Sequence, residues 1–354
     1  MWGNGPAGRG DSGAVNRAVS DRSLQSLRVA VIGATGLVGH EILDLLADRG
    51  FPISELHLFA SERSAGEEVE FSGRSVRVKR LTPELPEIDL AFLCVPAEIS
   101  QSIAEDLAEA GTTVIDLSPA HRTREEVPLV VAGWRPPEDL PRGLILSIPD
   151  ALTALLAVPL RALAALSTPR RVIATALVGA SVFGRRAVET LSAETVALLN
   201  SREPDPEGRP PMAFNCNPEP PEEAERISGR NAAGELRRLL GLEIPVTITV
   251  VRAPIFHGQG VAVSVETEEP IPVDRLCGAL RESPSILLDD KAARLTSTRE
   301  AAGSEGIHVG GIHADPRDSR WIHLWATADN LRQGAGLNAV AIAEAILPWR
   351  ARSS

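Results

Sequence analysis

Cysteine is scarce in this chain of 354 residues, which holds only Cys94, Cys216 and Cys277. Three thiols at wide, unpatterned spacing exclude a disulfide framework and a thiolate zinc cluster; they point to a reducing compartment, the cytoplasm, and to no metal. Long apolar runs are missing as well. The longest, around Ala154 to Leu160, falls short of the roughly 18 residues that cross a bilayer, so no membrane span is expected. Basic residues are outnumbered, with 36 Lys and Arg against 47 Asp and Glu and a net charge of −11. That balance argues against nucleic acid as the main partner, because neutralising a phosphate backbone needs a cationic excess. It leaves room for a local anion site. Residues 1–23 lack the apolar core of a secretory signal and are read as a disordered leader.

What is present is enough apolar material, 44% of residues, for two domains. From Leu27 the run LRVAVIG reads as a buried strand, ATGLVG as a tight turn and HEILDLLADRG as a helix. The runs ELHLFAS, DLAFLCV, TTVIDLS and GLILSIP follow, with a helical stretch AEISQSIAEDLAEAG among them. Short apolar strands alternating with amphipathic helices predict a parallel sheet covered by helices on both faces. After Pro149 the rhythm changes. The sequence predicts a helix over 151–166, a strand RRVIATALVGA, a helix at about 184–200, a Pro-rich loop and a charged helix over 222–241. VTITVVRAPIFHGQGVAVSVE then alternates with period two like an antiparallel strand, followed by the strand WIHLWATADN and a helix from about Gly336. No useful internal repeat occurs.

The most informative local pattern is Gly33-Ala34-Thr35-Gly36-Leu37-Val38-Gly39 between the first strand and its helix. Glycines there allow a tight turn and close backbone approach, and the helix start offers N–H groups to a pyrophosphate. Tight packing alone is the plainer reading, but the βαβ context favours a dinucleotide site. After the second strand, Arg63 and Ser64 stand where an adenosine ribose should lie, which favours NADP over NAD. Glu62 weakens that preference, and a solvated polar turn is the alternative.

GATGLVGHEIL, FASERSAG, VIDLSPAHR, VPLVVAG, PPMAFNCNP, RAPIFHGQ and LWATADNLRQGAGLNAVAIAEAIL resemble, in order and spacing, the aspartate-β-semialdehyde dehydrogenases from about Leu27 to Leu347. The resemblance implies an α/β protein. A Rossmann-type dinucleotide-binding domain would cover 24–150 and be completed by a helix at 332–350; an α+β substrate and dimerisation domain with a mixed or antiparallel sheet would cover 151–331. It implies NADP, a homodimer and a place in amino-acid biosynthesis. It also implies a cysteine nucleophile, which forms the covalent intermediate in that family. In Ser147-Ile148-Pro149-Asp150-Ala151-Leu152-Thr153 that position is Ala151. The family's histidine base corresponds to Gln259, whose amide does not titrate near neutrality. The substrate-contacting glutamine is matched to Leu177 in Thr175-Ala176-Leu177.

Arg122 matches the family's phosphate-binding arginine, Arg252 the arginine that pairs with the substrate carboxylate, and Asn330 the residue beside the nicotinamide. The family's phosphate-site lysine has no clear counterpart among Arg226, Arg230, Arg237 and Arg238. The Pro-Asp-x-Leu-Thr segment resembles the cysteine-less Usg-like branch, members of which can keep the histidine that is Gln259 here. Cys94 and Cys216 are read as structural, His257 as satisfied or solvent-facing although it can substitute as a base, and Thr153 as lacking an activating base. Trp321 and Trp325 are read as core or interface residues. The expectation is a nucleotide-binding, non-catalytic homodimer with anion-binding arginines, a regulatory or assembly role and a possible active paralogue as heterodimer partner. The alternative is an active NADP-dependent oxidoreductase that reduces a carbonyl without a cysteine.

Overall fold

The computed structural model describes residues 26–134, 143–204, 210–218, 229–289 and 295–350, and side chains as far as 346. The leader at 1–23, Arg226 and the first part of the charged segment lie outside the described residues. The apolar run after Ser26 forms β1 (Leu27–Ile32), followed by α1 (Leu37–Asp48) and β2 (Ile53–Ala60). A small hairpin, β3 (Glu68–Phe71) and β4 (Arg74–Arg77), precedes β5 (Lys79–Arg80). β6 (Leu90–Leu93), α2 (Ala97–Glu109), β7 (Thr113–Asp116) and β8 (Ile145–Ser147) complete the first half. Six of these strands form one sheet in the order β5-β2-β1-β6-β7-β8, every pair parallel. The order reverses between β1 and β6, and an open α/β sheet binds ligands outside the carboxyl ends of its strands at such a switch point.

The second half starts with α3 (Ala151–Ala164) and β9 (Pro169–Val178), then α4 (Arg185–Leu199), β10 (Asn217–Pro218) and α5 (Gly229–Leu240). β11 (Val246–Arg252), β12 (Gln259–Thr267), α6 (Val273–Arg281), β13 (Ile286–Leu288), α7 (Thr298–Ala301), β14 (Ile307–Ala314) and β15 (Trp321–Ala328) follow. Their strands make a mixed sheet in the order β10-β11-β9-β12-β15-β14-β13. The long period-two run is therefore two strands and not one. Gly258, at φ +94°, ends the loop between them, and β11 pairs parallel with β9 while β12 pairs antiparallel with β9 and β15.

Alternate residues Val172, Ala174, Ala176 and Val178 of β9 and Val261, Val263 and Val265 of β12 are buried in one cluster with Leu155, Leu156 and Leu160 of α3, Leu236 of α5 and Leu276 of α6. Three helices thus cover one face of the sheet, and the alternate residues of its central strands point away from them. The chain closes with a π-helical turn, Arg332–Leu337, and α8 (Asn338–Arg350). Ala339, Val340, Ile342 and Ala343 of α8 are buried among Val29, Val31, Leu45 and Leu46, so the last helix packs on the first sheet. No helix among the described residues is long and apolar enough to cross a membrane.

Candidate active site

At the switch point, Gly33 has φ +92°, and a Cβ there would lie 2.2 Å from the carbonyl oxygen of Cys94, the residue after β6. A Cβ on Gly39 would lie 2.3 Å from the carbonyl of Gly33. Both positions require glycine, and the turn they make brings β1 and β6 together at their carboxyl ends. Gly36 is the N-cap of α1 and offers no side-chain acceptor, and the first turn of α1 carries no acid. The N–H groups of Leu37, Val38 and Gly39 therefore face outward without a side-chain cap, at the positive end of the helix dipole. Thr35 sits half-buried at the tip of the turn. This is a cradle for a diphosphate, so a dinucleotide fits the residues present.

After β2, Glu62 to Ser64 form a 3₁₀ turn. The Glu62 carboxylate accepts from Arg80 at 3.1 Å, which draws the acid to a basic partner and leaves Arg63 exposed beside Ser64.

The second constellation lies where α3 begins. Asp150 caps that helix, its carboxylate accepting from Leu152 N at 2.8 Å, and Ala151 is the first helical residue. The π turn crosses directly over it, since a Cβ on Gly334 would lie 2.5 Å from the Ala151 methyl. Gln259 opens β12 with no exposed surface, between Val178 of β9 and Ala328 of β15. Neither end of its amide has a hydrogen-bond partner among the described residues. Next to this, Asn330 Oδ1 accepts from Ser181 Oγ and from Gly258 N, both at 2.9 Å. Arg252, the last residue of β11, lays its guanidinium 4.4 Å from the centre of the Phe183 ring.

Arg122 faces inward. Its Nε donates to the Ile148 carbonyl at 3.0 Å and Nη2 to the Leu117 carbonyl at 2.9 Å. Nη1 lies 3.5 Å from Asp150 and 3.6 Å from Glu235. Glu235 in turn accepts from Asp150 N at 2.8 Å. Burial pushes the Glu235 carboxyl above the usual carboxylate range; Arg122 opposes that rise and Asp150 adds to it. An anion approaching Arg122 therefore meets two acids already in place.

Two family patterns cover most of the chain: "Semialdehyde dehydrogenase, NAD binding domain" matches residues 28–140 and "Semialdehyde dehydrogenase, dimerisation domain" matches 159–333. The chain belongs to the semialdehyde dehydrogenase family. An aspartate-semialdehyde dehydrogenase of Prochlorococcus marinus is 34% identical, with 91% of this chain and 96% of the relative covered. A USG-1 protein homolog of Pseudomonas aeruginosa is 33% identical, with 91% and 98% covered. The crystal structure of aspartate semialdehyde dehydrogenase II from Vibrio cholerae superposes with a TM-score of 0.83 at 31% identity, covering 92% of this chain and 99% of the other. The two-domain fold of the semialdehyde dehydrogenases and their NAD-binding domain are thus present here.

Within this semialdehyde dehydrogenase fold, Ala151 and Gln259 both lie beside the terminal π turn and its lead-in. Gly334 abuts Ala151, and Asn330 binds the N–H of Gly258 next to Gln259. Leu177 is not in this group. It pairs with Gly260, so it points to the opposite face of the sheet from Gln259, and Val178 is the residue beside the amide. A one-residue slip in a strand exchanges the two faces. His257 precedes β12 in a loop and does not share a strand face with Gln259. Burial, with Asp116 nearby, raises the Cys94 thiol, the reverse of what a nucleophile needs. Cys216 is exposed just before β10. Arg238 donates to the carbonyls of Arg122 and Val127 and so anchors α5 to the segment after β7, while Arg230 is exposed and Arg237 half-buried.

Three participants were not singled out from the sequence. Glu235 was marked by its place on the apolar stripe of α5 with Ala232 and Leu236. Asp150 was marked as a cap immediately before an apolar helix. Ser181 carried no local signal, because its partner Asn330 is far along the chain.

Proposed function

We propose that this family member binds NADP and lacks phosphorylating semialdehyde dehydrogenase activity. The observation that carries the reading is the pair Ala151 and Gln259. A methyl group starts α3 where covalent chemistry needs a thiolate, and an amide buried between Val178 and Ala328 stands where a base is needed. Gly33, Thr35, Gly36, Leu37, Val38 and Gly39 would hold the diphosphate. Arg63 and Ser64, with Glu62 drawn toward Arg80, would favour a 2′-phosphate. Asn330 would stand beside the nicotinamide, which supplies hydride transfer when bound. Arg252 remains the handle for a small carboxylate, and the engagement of Arg122 with Asp150 and Glu235 disfavours inorganic phosphate.

The role that fits is regulatory or assembly-related, in the cytoplasm, by a homodimer or by a heterodimer with an active paralogue. The test is a titration with NADPH, NADP⁺ and NADH, read by nicotinamide fluorescence and thermal stability. An assay with aspartate semialdehyde, phosphate and NADP⁺ accompanies it. Binding of NADPH ahead of NADH, a raised melting temperature and no turnover are expected. Phosphate-dependent NADPH formation would overturn the loss of activity.

A further inference from the structure

The first turn of α4 carries Arg185 and Arg186 and no acid. Two cations at a helix start oppose the dipole, which favours anions there. Several arginines at the surface have a carboxylate partner: Arg28 has Asp89, Arg49 has Glu344, Arg124 has Glu105 and Arg332 has Glu41. Arg185 has no such partner among the described residues. Its guanidinium instead crosses from the second half of the molecule to the dinucleotide turn, where Nη2 donates to the Thr35 carbonyl at 3.3 Å. The turn itself, Gly33 to Gly39, contains no Lys or Arg.

We propose that Arg185 is a phosphate-binding residue of the dinucleotide site, supplied by the other half of the fold. The inference rests on the nucleotide-binding reading above and extends it to a residue outside the turn. A guanidinium has five N–H donors in a planar fork, and the Thr35 carbonyl occupies one. The others are left for the oxygens of a diphosphate resting on the N–H groups of Leu37, Val38 and Gly39. The same side chain then ties the two halves together when the nucleotide is in place, because one group contacts both the turn and the ligand. Arg186 is the internal control. It is exposed on the same helix turn, and among the described residues it makes no hydrogen bond to the dinucleotide turn such as the one Arg185 makes.

The experiment titrates the full chain and its Arg185→Ala, Arg185→Lys and Arg186→Ala variants with NADPH and with 2′-AMP, a probe of the adenosine end alone. Thermal melts verify folding. Arg185→Ala is expected to weaken NADPH about ten-fold and to lower the salt dependence of binding. It is expected to leave 2′-AMP unchanged, with Arg185→Lys intermediate and Arg186→Ala equal to wild type. Arg185→Ala binding NADPH as tightly as wild type, or losing both probes equally, overturns the assignment. Wild type that binds neither probe overturns the nucleotide reading itself, and Arg185 with it.

Discussion

Glu235 lies on the apolar stripe of α5, and its carboxyl is held between the backbone N–H of Asp150 and the Arg122 guanidinium. Burial raises its pKa in the folded protein. The folded state therefore keeps a proton that the unfolded chain has released, and stability falls as pH rises from the ordinary value of 4.5 through the folded value. Glu235→Gln keeps an acceptor for Asp150 N and removes the ionisation. Thermal melts across pH 4 to 8 are expected to show a flatter decline above pH 4.5 in the variant; superimposable profiles would mean that Glu235 does not titrate in that window. Ala151→Cys addresses the neighbouring residue. It places a thiol at the start of α3, where the helix dipole favours the thiolate, but leaves Gln259 unable to accept a proton. No phosphate-dependent turnover is expected from this single change, and turnover would show that Gln259 is not an obstacle.

The unit β1-turn-α1 is the element on which nucleotide binding depends, and its glycines make it brittle. Gly33→Ala places a Cβ against the Cys94 carbonyl at a φ of +92°, a change that should destabilise by roughly 2–4 kcal/mol and weaken NADPH binding with it. A denaturant midpoint equal to wild type would contradict the close approach of β1 and β6. This unit was legible in the sequence because each step is local: an apolar run, a glycine turn, then helical spacing. The mixed sheet was less so. The runs of β9 and β15 were legible as strands, and alternation marked β11 and β12, though as one strand; strand order is fixed by tertiary pairing, and the sequence carries no mark that β11 joins β9 in parallel. The same limit separated Leu177 from Val178, because motif spacing along a strand does not say which face a residue takes. The π turn was also invisible, since Gly334 is required by the Ala151 methyl across the fold rather than by its own neighbours.

At the scale of the whole molecule, the face of the mixed sheet opposite α3, α5 and α6 is uncovered over β9 and β11 among the described residues, while Thr296 and Thr298 lie over Trp325 and Gly260 further along it. Arg171, Ile173 and Thr175 of β9, Thr247 and Thr249 of β11 and Ala262 of β12 are exposed there, with Trp321 and Trp325 half-buried on the adjoining strand. Their cross-strand register puts Ile173 beside Thr247 and Ser264, and Thr175 beside Thr249 and Ala262, so the uncovered residues form one surface. An apolar residue 42% exposed at the centre of a seven-stranded sheet, as Ile173 is, is the kind of surface that association covers. The dimerisation-domain pattern spans this sheet. A homodimer by sedimentation at micromolar concentration is therefore expected. Ile173→Asp would set a carboxylate on each side of a two-fold contact, where like charges repel and desolvation is costly. The variant should sediment as a monomer while still binding NADPH, because the dinucleotide turn belongs to the other sheet. A variant that remains dimeric would move the interface elsewhere, and one that loses NADPH binding together with dimerisation would show that the site is completed only in the assembled pair.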